Sequence, residues 1–444
     1  MSRTRKHAIV LGAGMAGLFA ARVLSESYET VTLVDRDDVR ASAGPRRGVP
    51  QGHHVHGLLA RGQQIIEELF PGITAELAAH GAAKGDVVGD VRWYMRGERL
   101  KPARSGLVAL TSSRPFLERH VRGRVAALRN VSFLERHHIE GLIHDEHRPR
   151  VHGVRLRPEN EEGSHRDLEG DLVVDATGRG SRTPAWLEQL GYPRVDEARH
   201  PIGLGYTTAH FRLRSDPYQG GMALNAVASP ELPRGVILSE VDGGRTVVTA
   251  YGILGDHPPT DREGLLTFVK SLGVAGVHEA LTEAELLHEP VGYRFPANLR
   301  RFYEHTSALP DGLLVIGDAV CSFNPSYAQG MTVAALSALT LRSHLDNGGD
   351  GTAEDPLTFF RTLAADVLDG AWAMSIGGDL AFPGVRGERT AETLATHQHL
   401  ARVQRAAVHD GDIATALIRV FGLVDAPTAL THPDFLRALE RAEA

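Results

Sequence analysis

The chain has 444 residues, 42% of them hydrophobic and 23% charged, a globular composition long enough for two or three domains around a large core. Its 48 basic residues against 55 acidic ones give a formal charge of −7 with no long basic block, which excludes the electrostatic footprint of a nucleic-acid binder. The single cysteine, Cys321, excludes an internal disulfide and suits a reducing compartment, and no apolar run reaches the roughly 18 residues of a membrane span.

MSRTRKHAIV leads straight into a strand, so no signal peptide is expected and the predicted location is cytoplasmic. His7 to Leu11 form an apolar run of strand length. Gly12, Gly14 and Gly17 follow in the G-x-G-x-x-G spacing, Met15 to Ser27 have helical character, and Thr30 to Val34 make a β-branched run ending in Asp35. In this order each glycine has its own role. Gly12 turns the chain off the strand, Gly14 lets a pyrophosphate approach the backbone, and Gly17 brings helix and sheet together. The helix N-terminus then faces the diphosphate with free N–H groups and the positive end of its dipole. Asp35, 18 residues after Gly17, is placed to accept hydrogen bonds from a ribose diol. A carboxylate there disfavours a 2′-phosphate and leaves FAD or NAD as the dinucleotide.

GPRRGVPQGHHVHGL (44–58) is too broken by Gly and Pro for a regular element, residues 59–79 return to helical periodicity, and 86–110 read as strands. SRPFLERHVRGRVAAL (113–128) predicts an amphipathic helix with Pro115 in its first turn. Short strands fill 131–175, and the last, DLVVDATG, is almost wholly apolar, as a buried parallel strand should be. A β-rich stretch over 201–255 precedes a helical one over 263–284. The apolar strand GLLVIGDA (312–319) leads into a turn and a helix, and beyond Gly349 the pattern is mainly helical. His53, His54 and His56 have no acidic or cysteine partner at ligand spacing, so no metal site is expected. Cys321 has no partner thiol and reads as packing; Trp186 and Trp372 read as core or interface.

Three strand-to-loop junctions stand out: LGAGMAG, VVDATGRGSR (173–182) and VIGDAVCSFNP (315–325). Ligands collect beyond the carboxyl ends of parallel strands, and an extended ligand lying across three of them is FAD rather than NAD. On these motifs the chain resembles flavoproteins of the para-hydroxybenzoate hydroxylase fold, the group A flavin monooxygenases. The resemblance implies that Asp318 of Gly317-Asp318 meets the ribityl chain and that Pro325 and Gln329-Gly330-Met331 pack against the isoalloxazine. It also places Arg114 near the diphosphate and ribityl. Arg46, Arg47, His53, His54 and His56 read either as a loop crossing the cofactor, with one or two of them in contact with FAD, or as plain polar loop residues. The superfamily often carries an Asp-Gly pair where this chain has Thr177-Gly178. NADPH or NADH is thus expected as electron source, directly or through a separate flavin reductase.

A narrower resemblance covers almost the whole chain. RRGVPQGHHVHGLLARGQQ (46–64), TSSRPFLE (111–118), YRFPANLRRFYE (293–304), GDAVCSFNPSYAQGMTVAA (317–335) and WAMSIGGDLAFPGVRGER (372–389) are similar to bacterial flavin-dependent epoxidases of polyketide and polyether pathways. The fold implied is α/β: a glutathione-reductase-like Rossmann FAD domain (1–80, 105–197 and 298–348), an inserted β-sheet substrate domain (81–104 and 198–297) and a C-terminal helical segment (349–444). The cofactor-binding set is Gly12, Ala13, Gly14, Met15, Ala16, Gly17, Asp35, Arg36, Arg114, Asp318, Pro325, Gly330 and Met331, with Phe323, Asn324 and Pro325 as pocket candidates beside the flavin.

The activity implied is transfer of one oxygen atom of O2, by way of a flavin C4a-hydroperoxide, to a small apolar substrate bound between residues 201–300 and the turn 323–331. Epoxidation of an alkene needs no strong side-chain base, whereas phenol hydroxylation favours one. The alternatives are an aromatic hydroxylase, an FAD-dependent prenyl or alkene reductase, and a flavin-binding partner without turnover. A halogenase is disfavoured because W-x-W-x-I-P is absent: none of Trp93, Trp186 and Trp372 has a tryptophan two residues away.

Overall fold

Short β-branched and aliphatic runs buried on both faces make parallel strands, and five of them form the centre of the protein. In the computed structural model, which describes residues 5–42, 44–145, 147–160, 163–348 and 356–443, their spatial order is Leu313–Val315, Leu172–Asp175, His7–Leu11, Thr30–Val34, Val131–Leu134. All neighbours run parallel. The helices Met15–Leu24, Arg114–Ala126 and Gly330–Asn347 pack around this sheet. Ile9, Leu11, Leu18, Phe19 and Leu33 are 0–1% exposed there.

A second sheet has eight strands in the order Cys321–Ser322, Glu285–Arg301, Glu197–Arg212, Arg245–Gly252, Arg234–Val241, Ala223–Ala226, Val91–Met95, Glu98–Arg99. It is antiparallel except where Ala223–Ala226 runs parallel to Val91–Met95. Its outer core gathers Phe211, Leu224, Leu238 and Val248 under two short helices, Arg262–Lys270 and Val277–Glu283. The single helical stretch expected over 263–284 is divided because Gly273 and Gly276 take left-handed φ of +67° and +78°.

Beyond residue 355 the described chain is helical: Pro356–Leu363, a π-helical turn Ala364–Leu368, Asp369–Leu380, Ala391–His409, Gly411–Phe421 and Pro433–Glu443. Val403, Ile413, Leu417 and Leu439 from these helices share a core with Val88, Met95 and Leu100. The protein is thus α/β, with a Rossmann sheet, a mixed β-sheet and a C-terminal helical segment. Among the described residues, no helix is long and apolar enough to cross a membrane.

Candidate functional site

The carboxyl ends of four parallel strands meet at one edge, because Leu11 pairs with both Val34 and Asp175, and Asp175 with Val315. The ladder runs one residue further: Gly12 N–H donates to Val34 O at 2.8 Å, Ala176 N–H to Leu11 O at 2.9 Å, and Ile316 N–H to Asp175 O at 2.9 Å. All three sequence-predicted junctions therefore stand side by side where the strand order reverses, and an open α/β sheet forms its crevice there.

The fingerprint glycines differ in what they make room for. Gly12 has φ of +90°, and a Cβ on Gly17 would lie 1.8 Å from Gly12 O. At Gly14 a Cβ would meet nothing within 4 Å, because the space beside it is cavity. The helices starting at Met15 and Gly330 have no side-chain cap. Their first-turn N–H groups remain available to an anion or a polar ring edge.

Asp35 lines the cavity, yet its carboxylate also accepts Ala13 N–H at 2.7 Å and Asp37 N–H at 2.9 Å. It fastens the glycine turn to the second strand in addition to the ribose role expected from sequence. Arg46 lies behind the turn, donating to Ala13 O at 3.0 Å and to Glu118 at 2.7 Å. Arg114 donates to the other oxygen of Glu118 at 3.2 Å. Burial alone would raise the Glu118 carboxyl, but Arg114 and Arg46 hold it below the usual carboxylate range. Asp318, in the turn Gly317–Ala319, accepts no hydrogen bond from the described residues and caps no helix. Burial raises its carboxyl against the opposing charges of Arg114 and Arg179.

One cavity of about 1970 Å³ connects these groups. Gly12, Gly14, Met15, Ala16, Asp35, Arg36, Arg114, Asp318, Phe323, Asn324, Pro325, Gly330 and Met331 all line it; Ala13 and Gly17 lie behind it. Of the loop residues Arg46, Arg47, His53, His54 and His56, only His56 reaches the lining. His54 is instead held by Thr208 at 2.9 Å and by the edge of Tyr206, and burial lowers its pKa to about 4.

Residues 5–358 match the model of the FAD binding domain family. The chain belongs to that family. Over 445 residues it is 34% identical to Protein Rv3254 of Mycobacterium tuberculosis (strain ATCC 25618 / H37Rv), covering 95% of this chain and 90% of that protein. Among solved structures, the flavin-dependent brominase Bmp2 has the same fold at 14% identity and a TM-score of 0.68, over 98% of this chain and 99% of the brominase. The tetrameric form of 2-methyl-3-hydroxypyridine-5-carboxylic acid oxygenase follows at 19% identity and a TM-score of 0.59, over 85% and 91% of the two chains.

The residues of this FAD-binding chain suit the cofactor on their own terms. Besides the open cradle at Gly14 and the two uncapped helix starts, three cavity-lining residues carry a buried polar atom without a hydrogen-bond partner among the described residues: Thr111 Oγ1, Trp186 Nε1 and Gln329 Oε1. Buried polar atoms are rarely left so unless a ligand or water completes them. Trp186, expected as core or interface, lines the site; Cys321 is buried in a short strand and packs as expected.

The cavity exceeds the roughly 300–1,000 Å³ of a typical small-molecule pocket, leaving space for a second ligand beside a dinucleotide. Its far part is walled by Val91, Leu224 and Ile237 of the eight-stranded sheet and by Met374, Leu400 and Phe421 of the C-terminal helices. The helical wall was not anticipated. Its one readable signal is the small-residue spacing Ala373, Gly377, Ala381, four residues apart, the first two on one helix face and the third at the helix's C-terminal cap.

Proposed function

We propose that this protein is an FAD-dependent monooxygenase that transfers one oxygen atom of O2 to an apolar substrate, epoxidising an alkene of a polyketide- or polyene-like compound. The observation that carries the reading is the continuity of one cavity from the dinucleotide cradle into a large apolar chamber. Reduced FAD supplies the activation of O2 and the electrophilic oxygen. The chain's own part is to hold the alkene, to orient it and to exclude water, and aliphatic walls from Val91, Leu224 and Leu400 do this.

The scarcity of carboxylates in the chamber favours an alkene over a phenol. Away from the cradle residues Asp35 and Asp318, the only carboxylate among the described lining residues is Glu392, at the exposed start of its helix. An alkene gives up no proton when it takes an oxygen atom, so such a wall suffices; a phenol is better served by a base. The brominase of this fold marks halogenation as a competing chemistry, against which the missing W-x-W-x-I-P pattern speaks. Thr177, standing where the superfamily often has aspartate, commits its N–H and hydroxyl to Asp175 at 2.8 and 2.6 Å. This supports delivery of electrons from NADPH or NADH through a separate flavin reductase.

The test is product analysis with FAD-loaded protein, photoreduced without oxygen and then mixed with O2 and a panel of alkenes and phenols. Epoxides are expected. Ring-hydroxylated products would move the reading to an aromatic hydroxylase, and saturated products formed without O2 would replace it with an alkene reductase.

A further inference from the structure

Within WAMSIGGDLAFPGVRGER, the run Gly377-Gly378-Asp379 belongs to the helix Asp369–Leu380, and Asp379 is 0% exposed. Three uncharged donors converge on its carboxylate. Asn298 Nδ2 reaches Oδ2 at 2.6 Å, and Asn324 Nδ2 and the Tyr327 hydroxyl reach Oδ1 at 2.8 and 2.9 Å. Asn298 Oδ1 in turn accepts the Asn324 N–H and, at 3.3 Å, the Ser375 hydroxyl. Asn324 Oδ1 accepts the N–H of Ser326 at 3.0 Å and its hydroxyl at 2.7 Å. Every polar atom of the turn's first residue is thereby held.

Gly378 is part of the same construction. A Cβ there would lie 2.5 Å from the Tyr327 hydroxyl oxygen, so only glycine admits the Tyr327 side chain against the helix. The cavity side of that helix, through Ala373, Met374 and Gly377, with Ala381 at its C-terminal cap, lines the apolar chamber. A π-helical turn, Ala364–Leu368, immediately precedes it, a register shift of the kind that recurs at functional sites. Burial raises the Asp379 carboxyl against the lowering effect of its three hydrogen bonds. A buried carboxylate without a cationic hydrogen-bond partner is costly for stability alone.

We propose that Asp379 is a positioning residue: together with Gly378 it clamps the turn Asn324–Tyr327 to the helix that walls the substrate chamber, so that the placement of the flavin turn and the placement of that wall are one mechanical unit. The proposal rests on the FAD-monooxygenase reading for its purpose, but not for its test.

Three variants of the full chain separate the contributions. Tyr327→Phe removes one donor and keeps the ring, Asp379→Asn sets an amide N–H against a donor, and Gly378→Ala pushes Tyr327 off the helix. In the apoprotein, amide hydrogen exchange over 324–328 should quicken about tenfold or more in each, the cost of one hydrogen bond to a charged group, while the five-stranded sheet stays protected. FAD titrated into the apoprotein should bind about tenfold more weakly, because a site that must first be ordered loses affinity by that fraction. The visible circular dichroism of bound flavin should change as well, which loss of ordinary packing elsewhere in the core would not produce. Turn exchange, FAD affinity and flavin dichroism all at wild-type values in Tyr327→Phe and Gly378→Ala would overturn the proposal. If Asp379→Asn does not fold, Tyr327→Phe, lacking only a hydroxyl, decides. If the wild type binds no FAD, the monooxygenase reading falls, and the exchange measurement still decides the clamp.

Discussion

Gly14 and Gly17 lie three positions apart, and substitutions there should fail in opposite ways. A side chain at Gly14 enters open cavity, so Gly14→Val should leave the melting temperature of the apoprotein unchanged while weakening FAD binding about tenfold or more, read by titration. A Cβ at Gly17 collides with Gly12 O, so Gly17→Ala should destabilise the fold by about 1–3 kcal/mol in urea unfolding. Reversed effects would show that the cradle is misassigned. His54 gives a pH signature. In the unfolded chain it takes up a proton below about pH 6.5, but in the folded protein only near pH 4. The unfolded state therefore binds more protons in that window, and stability should fall as the pH is lowered from 6.5 towards 4. The slope contributed by this one residue is at most about 1.4 kcal/mol per pH unit. His54→Gln should flatten that slope in urea melts measured across the window.

Among elements, the helix Arg114–Ala126 ties the glycine turn to the loop before it. Ser113 caps it by accepting the Phe116 N–H, and Pro115 sits in its first turn, so its start was readable from sequence. Ser113→Ala should cost about 1 kcal/mol of stability in urea melts. Glu118, four residues into the helix, lies between the buried guanidiniums of Arg46 and Arg114, with Arg122 at 3.6 Å. Glu118→Gln should destabilise the protein by about 3–5 kcal/mol in the same assay, because it leaves buried cations without their counter-charge. The i,i+4 spacing of Arg114, Glu118 and Arg122 is readable on the helix, but their loop partner is not: Arg46 and Glu118 are 72 residues apart, and a charge pair between a loop and a helix leaves no local period. The glycine spacing, by contrast, was legible because each glycine answers a backbone constraint within one strand–turn–helix unit.

Across the whole molecule, parallel pairing brings distant strand ends to one edge, and for that reason three junctions separated by some 300 residues in sequence could be read as one site. The chamber beyond them was only half legible. Its sheet wall follows from the β-rich stretch, but its helical wall is assembled by tertiary packing of residues 369–421 against Val88, Met95 and Leu100, which no periodicity encodes. Filling that wall should separate the two halves of the cavity: Met374→Trp is expected to abolish substrate turnover while FAD affinity stays at the wild-type value. In the proposed reaction one cavity brings O2-activating FAD to an apolar acceptor. The most direct measurement is a single turnover of photoreduced, FAD-loaded protein with isotopically labelled O2 and an alkene that the chamber binds, followed by mass spectrometry of the product. One labelled oxygen atom in an epoxide is the predicted result; a product without label, with the oxygen recovered only as hydrogen peroxide, would contradict it.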